Sequence, residues 1–273
     1  MRQIRCVNQL RKTTTCLAVL CLAVLGLSAA TASAAPTVFL KAKAVPIPGY
    51  PHTGNILGAG AAIQAEYKIS GTEYGGFPPP VTGITFYLPK GVRLHPQGFA
   101  TCAPSVIEAR GPGACPKRSS AGPKGSADGI VSFGTERVNE KVAVLPFFAA
   151  GGGLEFYVNG VTPVSIEILS KGQIVNSSSP FGPKLTTEVP LIESVPGALD
   201  ASALSIDVEV GAAYRKGRKT VYYGTVPKRC PKGGFPVKSV VSFLGGATAE
   251  ASYKAPCPRR SVDRQRGRSR HHR

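Results

Sequence analysis

Across residues 36–258 the chain is made of short runs in which apolar and polar residues alternate, separated by glycine and proline. Alternation of period two marks a strand with one buried and one wet face. Ile63, Ala65, Tyr67 and Ile69 alternate with Gln64, Glu66 and Lys68, and Ile84, Phe86 and Leu88 alternate with Thr85 and Tyr87. The same phase recurs at 154–158, 164–168 and 204–210, and more weakly at 38–44, 129–133, 142–148, 184–191, 220–225, 237–243 and 247–253. About a dozen strands with turn signals at this spacing predict an all-β fold, an antiparallel β-sandwich of Greek-key or jelly-roll type. A buried parallel sheet would instead read as continuous Val, Ile and Leu.

Helical signal is confined to one place. With 24 prolines and 32 glycines the chain offers few uninterrupted windows long enough for a helix. Residues 105–110 are the exception: Ser105 as N-cap, Glu108 three residues on, and Gly111 to close the turn form a capping-box pattern. This predicts one short helix between Cys102 and Cys115.

Residues 1–34 read as a processing signal. Arg2, Arg5, Arg11 and Lys12 precede an apolar run of 11 residues, 17–27, and then Ala32-Ser33-Ala34. That order predicts a secretory signal peptide cleaved after Ala34, and hence an exported protein. The run is too short for a membrane anchor, and Leu20 before Cys21 does not fit a lipoprotein signal.

Behind that signal remain Cys102, Cys115, Cys230 and Cys257, an even count that in an exported chain predicts two disulfides. Of the three possible connectivities, the short loops favour Cys102–Cys115 and Cys230–Cys257. A zinc site would call for closer pairs.

Charge sharpens the picture at the C-terminus. Lys and Arg total 33 against 15 Asp and Glu, a net charge of +18. Seven of those bases fall in residues 259–273, against the single acid Asp263. The segment has no apolar periodicity and predicts a disordered basic tail. The rest, 35–258, reads as one sandwich domain, with two smaller sandwiches meeting near 136–141 as the alternative. Such a charge points to an anionic cell-wall polymer or polysaccharide as partner; nothing indicates specific nucleic-acid binding.

Catalytic chemistry is poorly represented. There is no G-x-S-x-G, no H-E-x-x-H and no phosphate-binding glycine loop, and the only histidines before the tail are His52 and His95 in proline-flanked turns. Glu66, Glu155, Glu167, Asp207 and Glu209 sit at the polar phase of predicted strands, which places them towards solvent. They could serve a polysaccharide-active enzyme as a pair only if two of those strands are neighbours. Tyr74, Tyr87, Tyr157, Tyr222 and Tyr223 are candidates for a ligand platform. No catalytic, cofactor-binding or metal-ligating set emerges, and no cofactor is implied; the residues singled out are the structural cysteines Cys102, Cys115, Cys230 and Cys257.

Between Phe99 and Ala127 the pattern F-x-T-C-x12-C-P-x2-S-x2-G-x2-G-x-A, carried by Phe99, Thr101, Cys102, Cys115, Pro116, Ser119, Gly122, Gly125 and Ala127, resembles uncharacterised secreted β-rich proteins of actinobacteria. Those proteins have a tighter G-x-G where this chain has Gly122-Pro123-Lys124-Gly125. The resemblance implies an exported β-sandwich and brings no activity with it. The expectation is therefore a secreted, non-catalytic protein that is envelope-associated or binds an extracellular, anionic ligand. A carboxylate-based polysaccharide enzyme and a structural module of an extracellular assembly are the alternatives.

Overall fold

A computed structural model describes residues 35–50, 56–133, 135–193 and 196–258. The predicted signal peptide, the basic tail and His52 lie outside the described residues. The chain folds as strands β1 (Thr37–Val45), β2 (Ala62–Ser70), β3 (Val81–Pro89) and β4 (Arg93–Leu94), followed by the helix α1 (Pro104–Arg110). There follow β5 (Gly125–Phe133), β6 (Glu136–Phe148), β7 (Leu154–Gly160), β8 (Ile166–Asn176), β9 (Phe181–Glu188) and β10 (Ser202–Val210). The last elements are β11 (Ala213–Lys216), β12 (Lys219–Tyr222), β13 (Gly224–Thr225), β14 (Phe235–Phe243) and β15 (Thr248–Ala255).

Eleven of these strands form one antiparallel sheet in the order β1-β2-β10-β5-β6-β7-β8-β9-β3-β14-β15. Strands β5 to β9 are a meander, each paired with the next. On one side β10 joins the meander to the β1–β2 pair, and on the other β3 joins it to the β14–β15 pair. The edge strands β1 and β15 come within 8 Å of each other, Cα to Cα. The stretch 136–141 lies inside β6, in the middle of this sheet.

The apolar phase of the long strands falls on one common inner face. Leu40 of β1, Tyr67 of β2, Phe86 of β3, Val241 of β14 and Ala251 of β15 belong to one buried cluster, which draws on both ends of the sheet. The predicted alternations at 63–69, 84–88 and 204–210 all lie within strands. One boundary differs: the run expected from Val164 begins at Ile166, because the Val164 N–H is donated to the Glu140 carboxylate instead of a ladder.

Helix α1 forms where expected but starts differently. Its N-cap is Ala103, with no side-chain cap, and Pro104 occupies the first turn. Proline's fixed φ suits that position and its missing N–H costs nothing there, so Ser105 lies within the helix and does not cap it. Gly111, at φ 73°, ends the helix by donating its N–H to the Ile107 carbonyl.

Both disulfides form with the expected connectivity, Cys102–Cys115 and Cys230–Cys257. The first holds α1 against the outer face of the sheet, where Cys102, Ile107, Phe147 and Tyr157 make a small second core. The motif residues around it also have packing reasons. Ser119 is fully buried, its hydroxyl donated to the Pro116 carbonyl at 2.7 Å. A Cβ at Gly122 would meet the Glu209 carbonyl, and one at Gly125 the Asp207 carbonyl, so the chain can lie this close to β10 only as glycine.

Replacing both Cys102 and Cys115 by serine should lower stability by about 3 kcal/mol, as expected for a loop of this length. In a domain of this size that is roughly 6–12 °C in melting temperature. Thermal unfolding monitored by circular dichroism checks this, and an unchanged midpoint would remove the clamp its role.

Candidate functional site

The inner face is not filled evenly. Where β1, β2, β3, β14 and β15 meet, the side chains close on one another. Within the neighbouring strands they do not: a cavity of about 250 Å³ remains, lined from β2, β10, β5, β6, β7, β8, β9 and β3. These eight are consecutive in the sheet, so the cavity is lined by one unbroken run of strands. Ile206, Val208 and Val210 of β10, Val142 of β6 and Ile174 of β8 face it, and each is only half-buried although it points inward.

The walls are apolar, mostly aliphatic, with Tyr67, Phe86, Phe156 and Tyr223 among them. Ala65, Ala127, Gly129 and Ala203 lie among them, and small residues on the inner phase are what leave the space. Ser170 of β8 and Thr187 of β9 also line the wall, and further polar groups sit towards the ends. At one end Glu140 is 1 % exposed, and its carboxylate accepts the Thr162 N–H at 3.3 Å and the Val164 N–H at 3.2 Å. The segment from Val189 to Ile192 and Ala201 covers the same region. It is tied to β6 by Arg137, whose guanidinium donates to the Ser202 hydroxyl and lies 5.7 Å and 5.6 Å from the Tyr74 and Phe77 ring centres.

At the other end stands Tyr223, 2 % exposed. Its ring packs on Phe148 at 4.6 Å and meets Phe99 edge-on at 5.9 Å. Its backbone is held by the N–H to the Ala212 carbonyl and by the His95 N–H donated to its own carbonyl. Burial raises its ionisation above the ordinary phenol range, so it is neutral and able to donate.

The residues expected to carry chemistry are dispersed. Cys102, Cys115, Cys230 and Cys257 are all in disulfides. His95 is exposed. The tyrosines form no common platform: Tyr74 lies under Arg137, Tyr87 between Lys184 and Lys238, Tyr157 in the core beneath α1, and Tyr223 at the cavity.

Two of the expected acids do meet. β2 and β10 are neighbours and Glu66 stands opposite Asp207. Like charges facing across a ladder destabilise it, and here each is compensated: Lys41 lies 3.5 Å from Glu66, and the Gln64 amide donates to Asp207 at 2.8 Å. Glu209 on the same strand titrates above the ordinary carboxylate range because of burial, then Asp207, against the pull of Lys43. Glu167 is exposed as expected.

Glu155 is a correction. Its phase predicted solvent, but it is 3 % exposed, because the outer face of β7 lies in the region packed by α1. The Glu155 Oε2 has no hydrogen-bond partner among the described residues.

Sequence reasoning missed Glu140 and singled out Tyr223 for the wrong reason. Glu140 was legible in principle. It shares the phase of Val138, Val142 and Val144, a lone acid in an apolar row. Among the described residues no group of His, Cys, Asp or Glu could hold a metal ion, and no helix is long and apolar enough to cross a membrane. No family model matches the chain, and no curated protein or solved structure is significantly similar to it.

Burial lifts the Glu155 carboxyl above the ordinary range, with Lys171 opposing and Glu108 adding to the shift. The folded state then holds this proton more tightly than the unfolded chain, so the stability it brings is present at acid pH and lost as pH rises through the raised value. Glu155→Gln should match the parent near about pH 4 and melt higher than it at about pH 7. Melting curves across that range check it; a constant difference would contradict it.

Proposed function

We propose that this protein is a non-catalytic extracytoplasmic binding protein that holds a small apolar molecule inside its sheet. The observation that carries the reading is the aliphatic cavity of about 250 Å³ bounded by eight consecutive strands. Interiors of proteins are normally close-packed, and voids of this size are few. A dry cavity of about 150 Å³ already binds benzene, so this one has room for a larger hydrocarbon skeleton.

The architecture supports it. We read the eleven-stranded sheet as a nearly closed barrel, since its edge strands approach each other and share a buried cluster. In small barrels of about eight strands side chains fill the interior; a wider ring of small aliphatic residues leaves room for a ligand. Two disulfides fit an oxidising compartment. The resemblance of the 99–127 motif to secreted actinobacterial proteins points the same way and adds no activity.

A carboxylate-based enzyme fits less well. The facing acids, Glu66 and Asp207, are engaged with Lys41 and Gln64, and Glu140 is engaged with two backbone N–H groups. Attachment to an anionic wall polymer is a second reading, favoured by the net charge of +18. It is compatible with a ligand held inside.

The hydrocarbon tetralin should bind the protein saturably at one site and raise its melting temperature. Val158→Phe, which fills the cavity from β7, should weaken that binding by roughly tenfold, about 1.4 kcal/mol. Isothermal calorimetry measures both, and absence of saturable binding to the parent protein would overturn the reading. For the second reading, retention on isolated cell walls should fall steeply between about 0.05 and 0.5 M salt. Retention indifferent to salt would refute it.

A further inference from the structure

Strand β8 turns Ile166, Ile168, Ser170 and Ile174 to the cavity, and β9 turns Leu185 and Thr187. Two hydroxyls thus stand in an otherwise aliphatic stretch of wall. Ser170 is 4 % exposed and Thr187 8 %, and neither hydroxyl has a hydrogen-bond partner among the described residues. Neither belongs to the unpaired oxygens that are wholly enclosed, as the Tyr223 hydroxyl does. Both lie on the inner phase of their strands, so the surface they keep opens on the cavity. We infer that Ser170 and Thr187 together form a polar subsite, and that the cavity takes an apolar molecule bearing one neutral oxygen, a ketone or an alcohol. This inference rests on the cavity being a ligand site.

The register brings the two hydroxyls together. Gly172 pairs with Thr187, so Ser170, two residues earlier, is the diagonal neighbour of Thr187 on the same face. Diagonal positions on a sheet lie about 7 Å apart, which lets one oxygen between them bond to both. Gly172 keeps that place open. A Cβ there would stand 3.3 Å from the Thr187 Oγ1 and 2.8 Å from the Leu185 Cδ1, crowding the hydroxyl. Nearly all buried polar groups in native proteins are paired, and two adjacent ones that are not call for an explanation. A ligand oxygen supplies the partner.

Charge selects a neutral ligand. No Lys, Arg or His lines the cavity, whereas Asp128 and Glu140 do. Both carboxylates are engaged, Glu140 with two backbone N–H groups and Asp128 with the Ser205 hydroxyl at 2.8 Å. An anionic ligand would lose its water and meet no cation, which is costly. A hydroxyl or carbonyl oxygen loses far less and is repaid by the two wall hydroxyls.

Three probes that share a skeleton separate this inference from the reading beneath it: tetralin, the ketone 1-tetralone and tetralin-1-carboxylate. The ratio of ketone to tetralin affinity should be about tenfold higher in the parent protein than in the double variant Ser170→Ala, Thr187→Val, the scale of a buried hydrogen bond. These substitutions remove the hydroxyls and nearly keep the shape of the wall. The carboxylate should bind the parent at about pH 7 roughly tenfold more weakly than the ketone, or less. As a check that needs no variant, the carbonyl stretch of bound 1-tetralone should move to lower frequency than in an alkane solvent.

If tetralin binds but the affinity ratio is the same in both proteins, Ser170 and Thr187 do not read the ligand. Hydroxyls that merely hold a trapped water give this same result and overturn the inference. Should the double variant fail to fold, the stretch decides, and an unshifted band overturns it. A carboxylate bound as tightly as the ketone overturns the choice of a neutral oxygen. If tetralin does not bind the parent protein, the cavity is not a ligand site and the inference falls with it.

Discussion

The structure turns on a hydrogen bond that crosses from one end of the sheet to the other. The hydroxyl of Tyr67, on β2, donates to the Ser239 hydroxyl on β14 at 3.2 Å, and Ser239 donates in turn to the Thr85 carbonyl on β3 at 3.2 Å. Strands β2 and β14 are the second and the tenth of eleven in the sheet. Tyr67 is 4 % exposed and Ser239 fully buried, so neither hydroxyl has water to fall back on. Leaving one unpaired would cost about 1–3 kcal/mol, a sizeable share of the 5–15 kcal/mol that holds a domain folded. The pairing is satisfied only when the two ends of the sheet face each other.

The cluster containing Leu40, Tyr67, Phe86 and Val241 fills the space where the ends meet. Along the meander β5 to β9 the inner side chains leave a cavity unfilled.

Much of this was legible in the sequence, and the boundary of legibility has a physical cause. Alternation located the strands because one face of each is buried, and the even cysteine count in a short loop spacing located both disulfides. Alternation carries no information about a second buried face. Glu155 and Tyr157 therefore read as wet, and only the docking of α1 on the outside of β7 shows otherwise. The capping box at Ser105 was locally plausible, but Pro104 suited the first turn better and moved the start. The sheet order was hidden because β10 and β3 pair with strands distant in the chain. The cavity was hidden for a different reason. An inner row such as Ile206, Val208 and Val210 has the same pattern whether it faces packed atoms or empty space.

The two ends of the cavity are finished to different degrees, and that difference gives the interior a direction. Glu140 is the costlier group to bury, and the chain supplies it with two N–H groups from the turn between β7 and β8, at the expense of the first residues of β8. Tyr223 is cheaper to bury and is given nothing for its hydroxyl, although the ring is packed and its backbone fully bonded. A fold that places an acid so carefully at one end has the means to pair a phenol at the other. Replacing that hydroxyl by hydrogen would remove the penalty without disturbing the Phe99–Phe148 packing, so tyrosine is the less stable choice at this position. The sequence carries tyrosine there and leaves its hydroxyl unpaired, as it does the Glu155 Oε2 on the outer side of β7.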